Sequence, residues 1–166
     1  MSQSDLFFKT DEFVFSYRLA GILIQNGKVL LQRTLEDHGY AFPGGHAAYP
    51  ETNEETLKRE FKEEIAADVL VKELKWVGEI FFPFLGKPCH QICLFYLVEL
   101  QDESQIPLDG TFLASESFDG QTFDLEFSWI ALSGLNSIIL YPPIAKELMQ
   151  KLDGGVEHFV YKEEKN

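Results

Sequence analysis

The sequence predicts an α/β domain in which helices pack on a mixed β-sheet. Three features carry this expectation. Two pairs of β-branched and aromatic segments are each joined by a short turn, a Pro-Gly-Gly loop leads from a short strand into an amphipathic helix, and a second helix follows late in the chain. The chain has 166 residues, about the length of one domain, and residues 1–166 are read as one. At this size folding buries roughly 68–70% of the unfolded surface, enough for a core without disulfides or a structural metal.

Residues 14–24 and 28–33 are rich in Val, Ile and Leu and meet at Asn26-Gly27, a dipeptide that accepts the positive φ of a tight hairpin turn. Ala41-Phe42 reads as a short strand running into Pro43-Gly44-Gly45. Thr52 and Glu55 fit a capping box, and good helix formers continue to Ile65. Residues 69–82 and 90–100 read as a second hairpin across a Pro/Gly segment, and residues 127–132 as a further strand. Between them, residues 101–124 are rich in Asp, Glu, Ser and Gly and read as a long loop of the kind that covers a site. Tyr141-Pro142-Pro143 opens the second helix, expected to reach about Leu152 and to end at Gly154-Gly155.

Composition excludes several roles. Twenty-seven acidic residues against 14 basic ones give a net charge of -13, a surface that repels a phosphate backbone, so duplex nucleic acid is not expected as a partner. The longest apolar run, residues 92–98, falls far short of the ~20 residues that span a bilayer, and no basic segment followed by an apolar stretch opens the chain. A cytoplasmic protein without membrane association is expected. Cys89 and Cys93 lie roughly 13 Å apart on an extended chain, too far to pair, and His90 points to the opposite face, so two reduced thiols are expected instead of a disulfide or a zinc site.

The chemistry concentrates in residues 45–67, where Glu60, Glu63 and Glu64 stand at i, i+3 and i+4 of the predicted helix and are neighbours. Projected at 100° per residue, Leu57, Phe61 and Ile65 set an apolar stripe from about 0° to 80°, and Glu64 falls at about 340° beside it. Lys58, Glu55, Lys62 and Arg59 already supply an outward charged face at about 100° to 200°. A solvated acidic face therefore does not account for the three acids. Carboxylates clustered at the edge of a core repel one another unless a cation neutralises them, and hard oxygen ligands suit Mg²⁺, Mn²⁺ or Ca²⁺ over zinc.

This stretch resembles the Nudix box, G-x5-E-x7-R-E-U-x-E-E-x-G-U with U aliphatic. Gly45, Glu51, Arg59, Glu60, Glu63 and Glu64 all fall on the pattern, which six fixed positions match by chance on the order of once in 10⁷ starting points. Phe61, Ala66 and Ala67 depart from it; alanine resists positive φ, so the helix is expected to end differently from the usual glycine turn.

The resemblance implies an α/β/α sandwich that hydrolyses a nucleoside diphosphate linked to another moiety, an ADP-ribose-like compound or a nucleoside triphosphate, to a nucleoside monophosphate and a phosphorylated product. It implies Mg²⁺ or Mn²⁺ held by Glu60, Glu63 and Glu64 with the Gly44 carbonyl, and it makes Arg59 the residue that orients carboxylates, with Glu51 as its partner. Glu63 or Glu64 could serve as general base, as could Glu116, Asp119 or Asp124 from the predicted loop. Arg33, Tyr40 and Phe82 are the candidate substrate contacts, with Arg18, Phe84, Phe118 and Phe123 behind them. His90 and Gln91 are further pocket candidates, although a strand histidine is more often structural, and Pro83 resembles a marker of ADP-ribose pyrophosphatases. The alternatives are a Nudix-fold nucleotide sensor with weak catalysis, which would commonly have lost box acids, and an isomerase or glycosylase of the same superfamily. Relatives often form homodimers, which would engage the apolar edge at residues 81–85.

Overall fold

The computed structural model describes residues 4–118 and 120–164. In chain order they form β1 (Ser4–Asp5), β2 (Phe7–Lys9), β3 (Val14–Gln25), β4 (Lys28–Thr34), β5 (Gly39–Tyr40), β6 (Gly44–His46), β7 (Ala48–Tyr49), α1 (Asn53–Ile65), β8 (Val69–Phe84), β9 (Lys87–Leu100), β10 (Thr111–Phe118), β11 (Gln121–Ala131), β12 (Ile139–Leu140), α2 (Ala145–Leu148) and β13 (Glu157–Lys162). The central sheet runs β10-β11-β4-β3-β9-β8-β13, with β2 and β6 also paired to β3. It is mixed: β3 with β9 and β8 with β13 are parallel, whereas the hairpin pairs are antiparallel.

Both predicted hairpins form. Asn26 and Gly27 take φ of 53° and 74°, the left-handed pair that matches strand twist, and Leu85 and Gly86 repeat it between β8 and β9 at 53° and 76°. The sheet carries one apolar cluster on each side. Leu57, Phe61 and Ile65 of α1 pack with Leu19, Leu23 and Phe127, while Ala145, Leu148 and Met149 pack with Ile22, Trp76 and Phe95 on the other side. This is an α/β fold in which helices cover a mixed sheet. Among the described residues no helix is long and apolar enough to cross a membrane.

The structure departs from expectation at several elements. Residues 101–124 are not one loop, because Thr111–Phe118 forms β10 and pairs with β11. The alternation that drives this is exposed Thr111, Leu113, Ser115 and Ser117 against half-buried Phe112, Ala114, Glu116 and Phe118. The second helix is shorter than expected, since α2 tightens into a 3₁₀ turn at Met149–Lys151. In place of an Ala41-Phe42 strand, β5 pairs with β12 and Ala41 bridges to Gln32. Ala66 does adopt the left-handed conformation, at φ 55°, and its N–H caps the carbonyls of Phe61 and Lys62 as a glycine would.

Candidate functional site

Local sequence marks where α1 starts, and packing on the sheet stabilises it. The Thr52 hydroxyl accepts from the Glu55 N–H at 3.2 Å and the Glu55 carboxylate accepts from the Thr52 N–H at 2.7 Å, so two of the helix's orphan donors are satisfied. The apolar stripe then docks on the sheet, and the residue beside it is carried inward: Glu64 is only 8% exposed. Gly45 in β6 lets the chain pass against this helix, since a Cβ there would sit 2.3 Å from Glu60 Cδ.

Carboxylate oxygens of Glu60, Glu64 and Glu116 lie within 4.8 Å of one another. Glu64 Oε1 is buried without a hydrogen-bond partner among the described residues. Burial is the first cause pushing these acids up: Glu60 to about 7, Glu64 well above the ordinary carboxylate value, and Glu116 in the same direction. Mutual repulsion adds to it, through Glu116 for both helix acids. A close all-oxygen set with an unsatisfied oxygen and excess negative charge fits a hard divalent cation of the Mg²⁺ or Mn²⁺ type.

Arg59 organises the flank of the cluster. Its Nε and Nη2 donate to the two oxygens of Glu51 at 2.7 and 3.1 Å, and its Nη1 donates to Glu60 at 2.9 Å and to Glu63 at 3.2 Å. The Arg59 hydrogen bond holds the Glu51 carboxyl below its usual range. Glu51 also accepts from the Thr56 hydroxyl at 2.8 Å. Glu63 differs from its neighbours: its side chain is 58% exposed, at the rim of the cleft with Asp5 and Glu116.

Two adjoining spaces define the site. The acidic cleft, about 430 Å³, is lined by Glu60, Glu63, Glu64, Arg59 and Glu116. A larger, mostly apolar cavity of about 700 Å³ shares His46, Glu116 and Phe118 with it. His46 is held neutral by burial, which pulls its ring down to about 4.

Of the residues expected from sequence, Glu60, Glu63, Glu64, Arg59 and Glu51 come together as described. Gly44 lies in β6 opposite Ala20, where a Cβ would strike the Leu19 carbonyl at 1.9 Å, and is next to the glycine that touches Glu60. Phe82, Phe84, Phe118, Phe123, Arg18 and Gln91 line the cavity. Arg33 and Tyr40 do not line either space: Arg33 pairs with Glu126 at 3.0 Å and lies over the Tyr40 ring at 4.5 Å, while Tyr40 is buried in the core. His90 is also away from both, stacked on Phe81 at 4.3 Å. Asp124 is exposed and outside both, and Asp119 lies outside the described residues. Cys89 and Cys93 are free and buried, with thiols pushed up to about 11 by burial.

Glu116 is the residue whose place sequence reasoning missed. It was expected on a long loop as one of several candidates for the general base, and it sits in a strand as the third member of the carboxylate group. The signal for it was Asp119-Gly120, a hairpin-turn dipeptide followed by alternating residues.

A family model of the NUDIX domain matches residues 17–151. Among solved structures, a MutT protein from Bacillus halodurans is 18% identical at a TM-score of 0.57, covering 89% of this chain and 90% of that one. An ADP-ribose pyrophosphatase from Streptococcus suis is 15% identical at 0.56, covering 87% and 98%. A UDP-X diphosphatase is 18% identical at 0.55; 87% of this chain aligns with 66% of that one, so this chain spans just under two thirds of its length. These likenesses show a common fold. With the domain matched over residues 17–151 and the box residues gathered on α1 and the loop before it, the chain belongs to the Nudix hydrolase family.

Proposed function

We propose that this protein is a divalent-cation-dependent pyrophosphohydrolase acting on a nucleoside diphosphate linked to a second moiety, releasing a nucleoside monophosphate and a phosphorylated product. The observation that carries this reading is the Glu60, Glu64 and Glu116 group, with its orphaned Glu64 oxygen, at the mouth of a cavity large enough for a small nucleotide. Glu60, Glu64 and Glu116 would hold Mg²⁺ or Mn²⁺, with the Gly44 carbonyl and the rim carboxylate of Glu63 as further ligands. A bound divalent ion neutralises the approaching diphosphate, polarises a phosphoryl oxygen and lowers the pKa of a coordinated water.

The chain's own groups do the remainder. Arg59 fixes the orientation of Glu60 and Glu63 through its fork on Glu51, a planar geometry that lysine does not reproduce. Glu63, exposed at the rim, is placed to accept a proton from an attacking water, and Glu64 is the alternative base on the buried side. The neutral His46 ring adds no charge between the cleft and the cavity. Pyrophosphatase and diphosphatase descriptions of the similar structures support this class of substrate. Glu64→Gln tests the reading: the variant is expected to fold and to lose turnover by about 10²–10⁴-fold, and unchanged turnover would overturn it.

A further inference from the structure

Glu116 reaches the carboxylate group from an element that the sheet holds on one side only. β10 is an end strand and pairs with β11, and β11 pairs with β4 only from Leu125, opposite Thr34, to Ala131. Residues 115–118 and 121–124 therefore form a two-stranded ribbon that projects past β4. Such a ribbon is at best marginally stable alone. Among the described residues none donates a hydrogen bond to the Glu116 carboxylate. Its place within 4.8 Å of the Glu60 and Glu64 oxygens is therefore set by where the ribbon lies.

Phe118 ties the ribbon to the body of the protein. It lies two residues beyond Glu116 on the same half-buried face of β10. Its ring stands edge-on to Phe7 at a centroid distance of 5.2 Å, with His46 at 5.1 Å and Phe84 at 6.1 Å. The receiving rings also touch one another, Phe7 lying 4.9 Å from His46 and 5.9 Å from Phe84. Each sits on a paired strand: Phe7 opposite Ser16 and His46 opposite Arg18 on β3, and Phe84 opposite Lys87 on β9. Aromatic pairs prefer such edge-on and tilted geometries, so three rings locate a fourth with some precision. His46 directly follows Gly45, whose missing Cβ leaves room for Glu60. β6 is thus a common floor for Phe118 and Glu60, and it sets how far the ribbon stands from α1. Phe7 itself precedes the matched domain and lines neither the cleft nor the cavity.

We propose that Phe118 is a positioning residue whose ring, seated on Phe7 and His46, holds Glu116 in the cation-binding group. This rests on the cation-dependent reading of the site, but its test does not need turnover. Mg²⁺ alone is titrated by calorimetry into the full chain carrying Phe118→Ala, Phe118→Leu or Phe7→Ala, each with Glu116 intact and with Glu116→Gln. Phe118→Ala should weaken Mg²⁺ binding roughly tenfold and Phe7→Ala at least roughly threefold, the scale set by groups that orient a ligand. Phe118→Leu keeps an apolar side chain on the seat and should recover most of the loss. In Glu116→Gln all three should leave the remaining affinity unchanged, because the group they position is gone. Hydrogen exchange in EDTA should speed up at residues 115–118 and 121–124 in Phe118→Ala and Phe7→Ala, with β4 unaffected.

Mg²⁺ affinity within twofold of wild type in folded Phe118→Ala overturns the assignment. So does a loss that persists undiminished in Glu116→Gln, which would mean that Phe118 acts on another ligand. A loss in Phe118→Ala with none in Phe7→Ala overturns the seat, since Phe7 reaches the site only through it. A wild type that binds no divalent ion overturns the reading of the site itself, and exchange at the ribbon in EDTA then decides separately whether the seat holds it.

Discussion

Replacing Arg59 by methionine removes a guanidinium that holds three carboxylates at once, and the cost can be worked contact by contact. Its fork on Glu51 joins two side chains that are each 17% exposed, a charge-assisted interaction worth about 1.5–3 kcal/mol. The contact with Glu60, 13% exposed, leaves a carboxylate already strained by burial without its nearest positive charge. The contact with the exposed Glu63 adds only about 0.3–0.5 kcal/mol. Breaking a buried pair costs about 3–5 kcal/mol, and partial solvation here places Arg59→Met near the lower end, about 3 kcal/mol. A chain of this length should then melt roughly 6–12 °C lower.

Glu51→Gln alone should cost about 2 kcal/mol, because the Thr56 hydroxyl and part of the Arg59 fork can still bond to the amide. Combined with Arg59→Met it should cost little more than Arg59→Met itself, a coupling of about 1.5 kcal/mol. Urea unfolding of the four proteins at pH 7.5 in EDTA gives the cycle. Glu51 is held low by Arg59, so its share of the stability is present above the ordinary carboxylate value and is lost as pH falls through the lowered one. The coupling should accordingly fade in acid. A coupling below about 0.5 kcal/mol at neutral pH would refute the role of Arg59 as the organiser of the cluster.

Other consequences are equally direct. Glu60 is pushed up to about 7, so the metal-free native state binds more protons than the unfolded chain between about pH 4.5 and 7, and stability in EDTA should fall as pH rises through that window; a rise across it in thermal melts would contradict this origin of the strain. Mg²⁺ should raise the melting temperature more at pH 8 than at pH 5.5, a difference reduced in Glu60→Gln, where the raised Glu64 and Glu116 still contribute. Glu116→Gln should weaken Mg²⁺ binding by roughly 10–100-fold in calorimetry, and unchanged affinity would remove it from the ligand set. Gly45→Ala places a methyl 2.3 Å from Glu60 Cδ, so it should lower Mg²⁺ affinity more than stability, which paired titrations and melts would read.

The hairpins and α1 were legible because each is specified locally: Asn26-Gly27 demands one turn geometry, and the Thr52–Glu55 box with a periodic stripe demands one helix. The inward position of Glu64 was visible from helix phase alone. What escaped depends on partners distant in sequence. β13 is short, with Phe159, Val160 and Tyr161 set between charged ends, and forms by parallel pairing with the distant β8, and β1 and β2 are too short to declare themselves. β10 has a period-two pattern diluted by Ser and Glu, which read as loop, and Glu116 was lost with it. Arg33 and Tyr40 line neither described space, because a sequence reveals a cation and a ring but not that they pack on each other and that Glu126 pairs with the cation. Ala66 shows the limit of residue preference, since two capping bonds hold it where alanine alone would not go.

The central claim is that the buried acid group on α1 supports cation-dependent cleavage of a nucleoside diphosphate linkage. The measurement that tests it is a substrate panel in Mg²⁺, Mn²⁺ and EDTA. It covers ADP-ribose, nucleotide sugars, dinucleoside polyphosphates and normal and oxidised nucleoside triphosphates, for wild type and Glu64→Gln, with products separated by chromatography. The account predicts release of a nucleoside monophosphate from one class by the wild type with a divalent ion, and none in EDTA or from the folded variant. Turnover that persists in EDTA, or that survives Glu64→Gln, would contradict it.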